Sequence, residues 1–114
     1  MTLKVKLSVD EILQGTEIVI SEVTKRHVNE KYKNSDDVER YPFQVRAMIT
    51  KDTKGINLGE VFMLKLAKCE GLEAGQSFSF TEEGGATVTN GLVSFWSRKE
   101  FVQVSLKGDE LIVR

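Results

Sequence analysis

The chain of 114 residues holds one cysteine, one proline, one histidine and one tryptophan, and each scarcity excludes a class of protein. A lone Cys69 cannot close an internal disulfide, so no disulfide framework is expected, and its place in an apolar run suits a buried thiol in a reducing compartment. One cysteine and one histidine leave too few soft ligands for zinc, so no metal and no cofactor is expected. A Ser-His-Asp or Cys-His arrangement would have to run through His27, inside the basic run Lys25-Arg26-His27, and no nucleophile elbow occurs, so an enzyme is the last of the readings. No apolar stretch approaches the length of a membrane span. The segment Met1 to Leu7 alternates apolar and polar residues where an export signal would have a basic head and an apolar block, and the cytoplasm is the expected compartment. Charge of one sign is also missing. A net charge of -1 speaks against a domain that engages duplex DNA with its whole surface, yet leaves room for a local basic face.

What is present is period-2 patterning. Hydrophobic content of 40% and charged content of 29% fit one soluble globular domain with its own core, and neither a repeat nor a linker divides the chain. Leu3, Val5, Leu7 and Val9 alternate with Lys4, Lys6 and Ser8, which predicts a strand over 3–9. Asp10 to Gly15 allows one helical turn, with Asp10 as its cap. From Thr16 to Val28 the run is β-rich with a drifting phase, which predicts a long bent or bulged strand. Residues 29–40 read as a mobile loop, in which Asp36-Asp37-Val38-Glu39 lacks the spacing of a calcium site and is expected to be a solvated acidic segment. Tyr41 to Lys51 places Phe43, Val45, Ala47 and Ile49 inward and Gln44, Arg46, Met48 and Thr50 outward. Val61 to Cys69 is apolar on both faces, the mark of a central strand.

The remainder is a succession of short strands separated by Gly84-Gly85, Asn90-Gly91 and Lys107-Gly108-Asp109, turn signals that predict hairpins. In Leu92 to Arg98 the Val93/Phe95 set is the better core set, and in Phe101 to Leu106 it is Val102, Val104 and Leu106. Trp96 and Phe101 therefore fall in the outward phase, beside Ser94, Arg98, Gln103 and Ser105. The expected architecture is all-β: a small, partly open barrel with an added C-terminal β-meander.

Aromatic rings on an outward sheet face, among basic and hydroxyl side chains, are what stacking on unpaired bases requires. Lys25, Arg26, His27, Lys31, Tyr32 and Lys33 lie along the end of the long strand and its loop; Arg46, Lys65, Trp96, Arg98, Lys99 and Phe101 come from later strands. Cations following a sugar-phosphate backbone and rings accepting bases give sequence-tolerant binding, each stack contributing about 1 to 3 kcal/mol.

Laid out this way, residues 16 to 114 resemble single-stranded-DNA-binding proteins of the OB-fold type, particularly the small replication proteins of bacteriophages. The likeness is architectural: the long bent strand, the charged loop with Tyr32, the strands at 41–51 and 60–69, the Gly-Leu-Glu-Ala-Gly-Gln turn at 71–76 and the closing strands with outward rings. It implies binding of single-stranded DNA without sequence preference, protection of intermediates of replication or recombination, a homo-oligomer (dimer or tetramer) and, for a phage-encoded member, the bacterial host cytoplasm. By the same resemblance Arg26, Tyr32, Arg46, Lys65, Trp96 and Phe101 are the expected contacts, with Arg98 and Lys99 facing phosphates. Two family features have no counterpart: residues 70–86 offer no amphipathic helix, where a short hairpin is expected instead, and no Gly-rich, acid-tipped tail follows the last strand. The competing reading is a non-enzymatic protein-interaction or virion-assembly module that uses the same rings, with Val61, Met63 and Ala67, as a subunit interface. A small-molecule-binding barrel ranks below both, because no convincing set of inward polar groups is present.

Overall fold

The computed structural model describes residues 7–27, 35–98 and 101–114. Regular alternation in the sequence becomes strand in nearly every case: β1 (Thr16–Lys25), β2 (Phe43–Asp52), β3 (Val61–Leu66), β4 (Ser77–Ser79), β5 (Ala86–Val88), β6 (Leu92–Arg98), β7 (Phe101–Gly108) and β8 (Leu111–Val113), with the short helices α1 (Val9–Leu13) and α2 (Ser35–Arg40). The domain is all-β. Six strands form one sheet in the order β4-β1-β2-β3-β7-β6, and β5 and β8 form a separate ribbon. Every pairing is antiparallel except that of β3 with β7.

The drifting phase of β1 has a concrete cause. Its register against β2 shifts twice, between Glu17 and Ile18 and between Ile20 and Glu22. The first shift leaves Thr50 of β2 without an opposite residue and the second leaves Ser21 of β1 without one. Both extra residues carry hydroxyls that bond back across the ladder: Thr50 Oγ1 donates to the Glu17 carbonyl at 3.2 Å and Ser21 Oγ to the Arg46 carbonyl at 3.1 Å. Ile18 and Ile20 stay inward on one side of the second bulge, and Val23 takes up the inward phase on the other.

The core lies between the sheet and a cover made by α1 and the β5–β8 ribbon. Ile18, Ile20, Val45, Ala47, Ile49, Leu64, Leu66 and Leu106 come from the sheet, Val9 and Leu13 from α1, and Ala86, Val88 and Leu111 from the ribbon. Of the strand expected over 3–9, residues 3–6 lie outside the described set, and Val9 belongs to the helix, where it is fully buried. Its cap is Ser8, not Asp10: the Glu11 N–H donates to Ser8 Oγ while the Glu11 carboxylate accepts from the Ser8 N–H, a complete capping box. Asp10 is thereby free to accept from Thr87 Oγ1 and from the Val88 N–H at 2.8 Å, which fastens α1 to β5.

The Asn90-Gly91 signal produces a corner. Asn90 does adopt the left-handed conformation, at φ 49°, but its side-chain amide donates to Asp109 at 2.6 Å, and β5 pairs with β8 while β6 pairs with β7. The two turns at 90–91 and 108–109 thus lie back to back and pass the chain between sheet and ribbon. Gly108 sits at this crossing, where a Cβ would come within 2.2 Å of Val88 Cγ1, so only glycine allows the close approach.

The β6–β7 hairpin departs from its expected burial. Leu106 is buried and Val93 packs on the core, but the next inward pair, Phe95 opposite Val104, is 48% and 51% exposed. The parallel contact with β3 covers only Leu106 to Gly108, opposite Leu64 to Leu66. From Ser105 back to Phe101, β7 has no strand partner but β6 among the described residues, so the far half of the hairpin extends past the described core as an arm. Cys69 is half-buried, and burial, with Glu70 beside it, pushes its thiol up from the ordinary value.

Candidate nucleic-acid interface

Outward positions of the sheet fall into register as a continuous face. Glu22 stands opposite Arg46, Arg46 opposite Met63, Met48 opposite Val61, Gln44 opposite Lys65, and Lys65 beside Lys107. Met48, Val61 and Met63 are 41%, 52% and 41% exposed, and Arg46 between them is exposed. Where β3 and β7 diverge ahead of Leu64 and Leu106, an open cleft of about 950 Å³ forms between them, lined by Arg46, Met63, Lys65, Glu60 and Ser105 and reaching in to Leu13, Ile49 and Leu106 of the core.

At the other end of this face lies α2. Residues 35–40 were expected to be part of a mobile, solvated loop; they form a helix whose Val38, with the following Tyr41, is buried at 5% and 7% exposure. The spacing of three between those two apolar residues, inside an acidic run, was the available signal. Asp36 and Glu39 do face solvent, whereas Asp37 turns onto the sheet. There it meets three cations. Arg26 donates from Nη2 to Asp37 Oδ2 at 2.7 Å, Lys107 Nζ donates to Oδ1, and Lys65 Nζ stands 3.8 Å from Oδ2. Arg26 is also fixed through its main chain and a second guanidinium nitrogen, its N–H donating to the Pro42 carbonyl at 2.7 Å and Nη1 to the Tyr41 carbonyl at 3.0 Å. Lys107 Nζ lies 5.6 Å from the centre of the Tyr41 ring, within cation–π range.

Three positive groups facing one carboxylate set the electrostatics. Burial opposes ionisation of Asp37, but hydrogen bonds from Lys107 and Arg26, and then their charges, outweigh it and hold the carboxyl below the usual value of 3.8. Burial pulls Lys65 below the ordinary lysine value, and the positive charge of Arg26 and of Lys107 adds to the effect against the opposing pull of Asp37. A folded-state value below the unfolded one means that the Asp37 contribution to stability is complete above 3.8 and is lost as pH falls through the lower folded value. The stability gap between the wild type and Asp37→Asn, measured by urea unfolding, should therefore be about 1 to 3 kcal/mol at neutral pH and should shrink on acidification below the ordinary carboxylate range.

Of the contacts expected from sequence, Arg26 and Lys65 meet at Asp37 and Arg46 stands on the open face beside the cleft. Trp96, Arg98 and Phe101 lie in the arm, with Trp96 opposite Gln103 and Arg98 opposite Phe101 in the ladder; their side chains lie outside the described residues, as do Tyr32 and Lys99 altogether. Lys107 and Asp37 were not anticipated. Lys107 continues the outward phase of Ser105, and that alternation could have shown it. Among the described residues no group of three His, Cys, Asp or Glu side chains is placed to hold a metal, and no helix is long and apolar enough to cross a membrane. Comparison with protein-family models, curated proteins and solved structures finds no match.

Proposed function

We propose that this domain binds single-stranded nucleic acid, and single-stranded DNA in particular, without catalysis, covering intermediates of replication or recombination in a bacterial cytoplasm. The observation that carries the reading is the convergence of Arg26, Lys65 and Lys107 on one carboxylate, which leaves an excess of positive charge at one end of a sheet face in a chain whose net charge is -1. A strand laid along that face would run from these cations past Arg46 and the cleft toward the β6–β7 arm that carries Trp96 and Phe101. The partly open sheet with its parallel β3–β7 contact is compatible with an OB-like barrel, whose strand face is a familiar platform for such ligands. Phosphates release counterions to the cations while rings in the arm stack on bases.

The test is a titration with unstructured oligo-dT, read by the single tryptophan, at two salt concentrations. Quenching is expected, with affinity falling at least tenfold between about 50 and 200 mM salt for a site that meets three or more phosphates. Binding that ignores salt, or no binding at the lower concentration, would remove the reading. A second reading has its own observation: Met48, Val61 and Met63 form an exposed apolar stripe, which suits an interface between copies of this chain or with a virion or assembly partner. An association driven by that stripe should be comparatively indifferent to ionic strength, and sedimentation at both salt concentrations separates the two.

A further inference from the structure

Resting on the single-strand reading, we propose that Arg26, Lys65 and Lys107 form the seat of one backbone phosphodiester, and that the Asp37 carboxylate occupies this seat until a strand displaces it. The geometry favours exchange over permanent pairing. One carboxylate with a single negative charge serves three cations, and only two of them reach it within hydrogen-bonding distance, Lys65 remaining at 3.8 Å. A phosphodiester also carries one negative charge, but its two non-bridging oxygens can accept from a guanidinium and from both ammonium groups together.

The seat does not depend on Asp37 for its shape. Arg26 keeps its bonds to the Tyr41 and Pro42 carbonyls, Lys107 keeps the Tyr41 ring, and the stems of Lys65 and Lys107 belong to neighbouring strands in register. Nor does α2 depend on the carboxylate alone, because Val38 and Tyr41 are buried beside it. The exchange therefore needs no more than rotation of one side chain. Its consequence is a threshold: isolated anions and weakly held strands compete with an acid already in place, while a strand held at several other points can expel it. Asp37 thus sets the affinity and selects for polyanions.

The experiment compares oligo-dT binding of the wild type, Asp37→Asn and Asp36→Asn, the last removing the same charge from the exposed neighbouring position. Asp37→Asn should bind about five- to tenfold more tightly at low salt, with Asp36→Asn close to wild type. Equal gains in the two variants would reduce the effect to general electrostatics and overturn the seat. A reading that needs no variant, and so survives any loss of folding in Asp37→Asn, is the Asp37 side-chain carboxyl carbon followed by NMR against pH. Bound oligo-dT should bring its titration back to the ordinary carboxylate range, and a titration that stays low with oligo-dT bound overturns the proposal. Failure of both wild type and Asp37→Asn to bind would sink the single-strand reading and the seat with it.

Discussion

Leu64→Ala should lower stability by about 3 kcal/mol, within the 2 to 5 kcal/mol typical of emptying a buried leucine site, and should move the thermal midpoint down by more than about 10 °C. Leu64 is fully buried at the middle of β3, opposite Val45 of β2 and beside Leu106 of β7. It is the place where the antiparallel half of the sheet meets the parallel contact. Strands hydrogen-bonded on both sides cannot close on a cavity without breaking register, so little of the lost packing should be recovered by relaxation. Against a total stability of about 5 to 15 kcal/mol, the change takes a large share. Urea unfolding should show a lower midpoint at an unchanged slope. A cost below about 1 kcal/mol would mean that β3 is not held between β2 and β7 as described. The loss also bears on the site, because Lys65 is the next residue along and points to the opposite face. A milder variant that keeps the fold should loosen the Lys65–Lys107 spacing before it unfolds the domain.

How far the sequence foretold this arrangement depends on the range of the forces involved. Alternation is set within a strand, and it placed Val45, Ala47 and Ile49 inward and Arg46 and Met48 outward correctly. Even the disturbed phase of β1 was legible, since a bulge moves every later side chain to the other face. Partner choice is not local. Nothing in Ala86 to Val88 or Leu111 to Val113 says that these segments pair with each other, and at Asn90-Gly91 only Asn90 takes the positive φ that a two-residue hairpin turn needs at both positions, so the same dipeptide makes a corner. Burial of Phe95 and Val104 was misjudged for a related reason: alternation tells which face a residue takes, not whether anything covers that face, and here the β3–β7 contact ends too soon. The candidate site divides the same way. Arg26, Arg46 and Lys65 were visible as basic residues on strands, but their convergence depended on Asp37, whose partners lie up to 70 residues away in the chain. A short acidic run looks solvated unless its apolar spacing is read as a helix that must cover something.

Trp96→Ala should weaken oligo-dT binding by about 1 to 3 kcal/mol, roughly five- to 150-fold, while leaving the unfolding midpoint within a few degrees of wild type. Both halves of that expectation rest on the arm. Phe95 and Val104, the pair next to Trp96 in the ladder, are about half exposed, so among the described residues the buried core ends before that level and the loss of a neighbouring ring should create no cavity in it. The ladder itself, Trp96 opposite Gln103 and Ser97 opposite Val102, is made by main-chain groups that alanine retains. Removing a stacking surface, in contrast, takes away a contact that no cation replaces. The salt slope separates the roles: Trp96→Ala should lower affinity at every ionic strength without changing the slope, whereas Lys107→Gln should flatten it by about one counterion. A large drop in stability with Trp96→Ala would make the ring structural and shift the reading toward a protein interface. Unchanged affinity in a folded variant would confine binding to the cations around Asp37, with the arm left to other work.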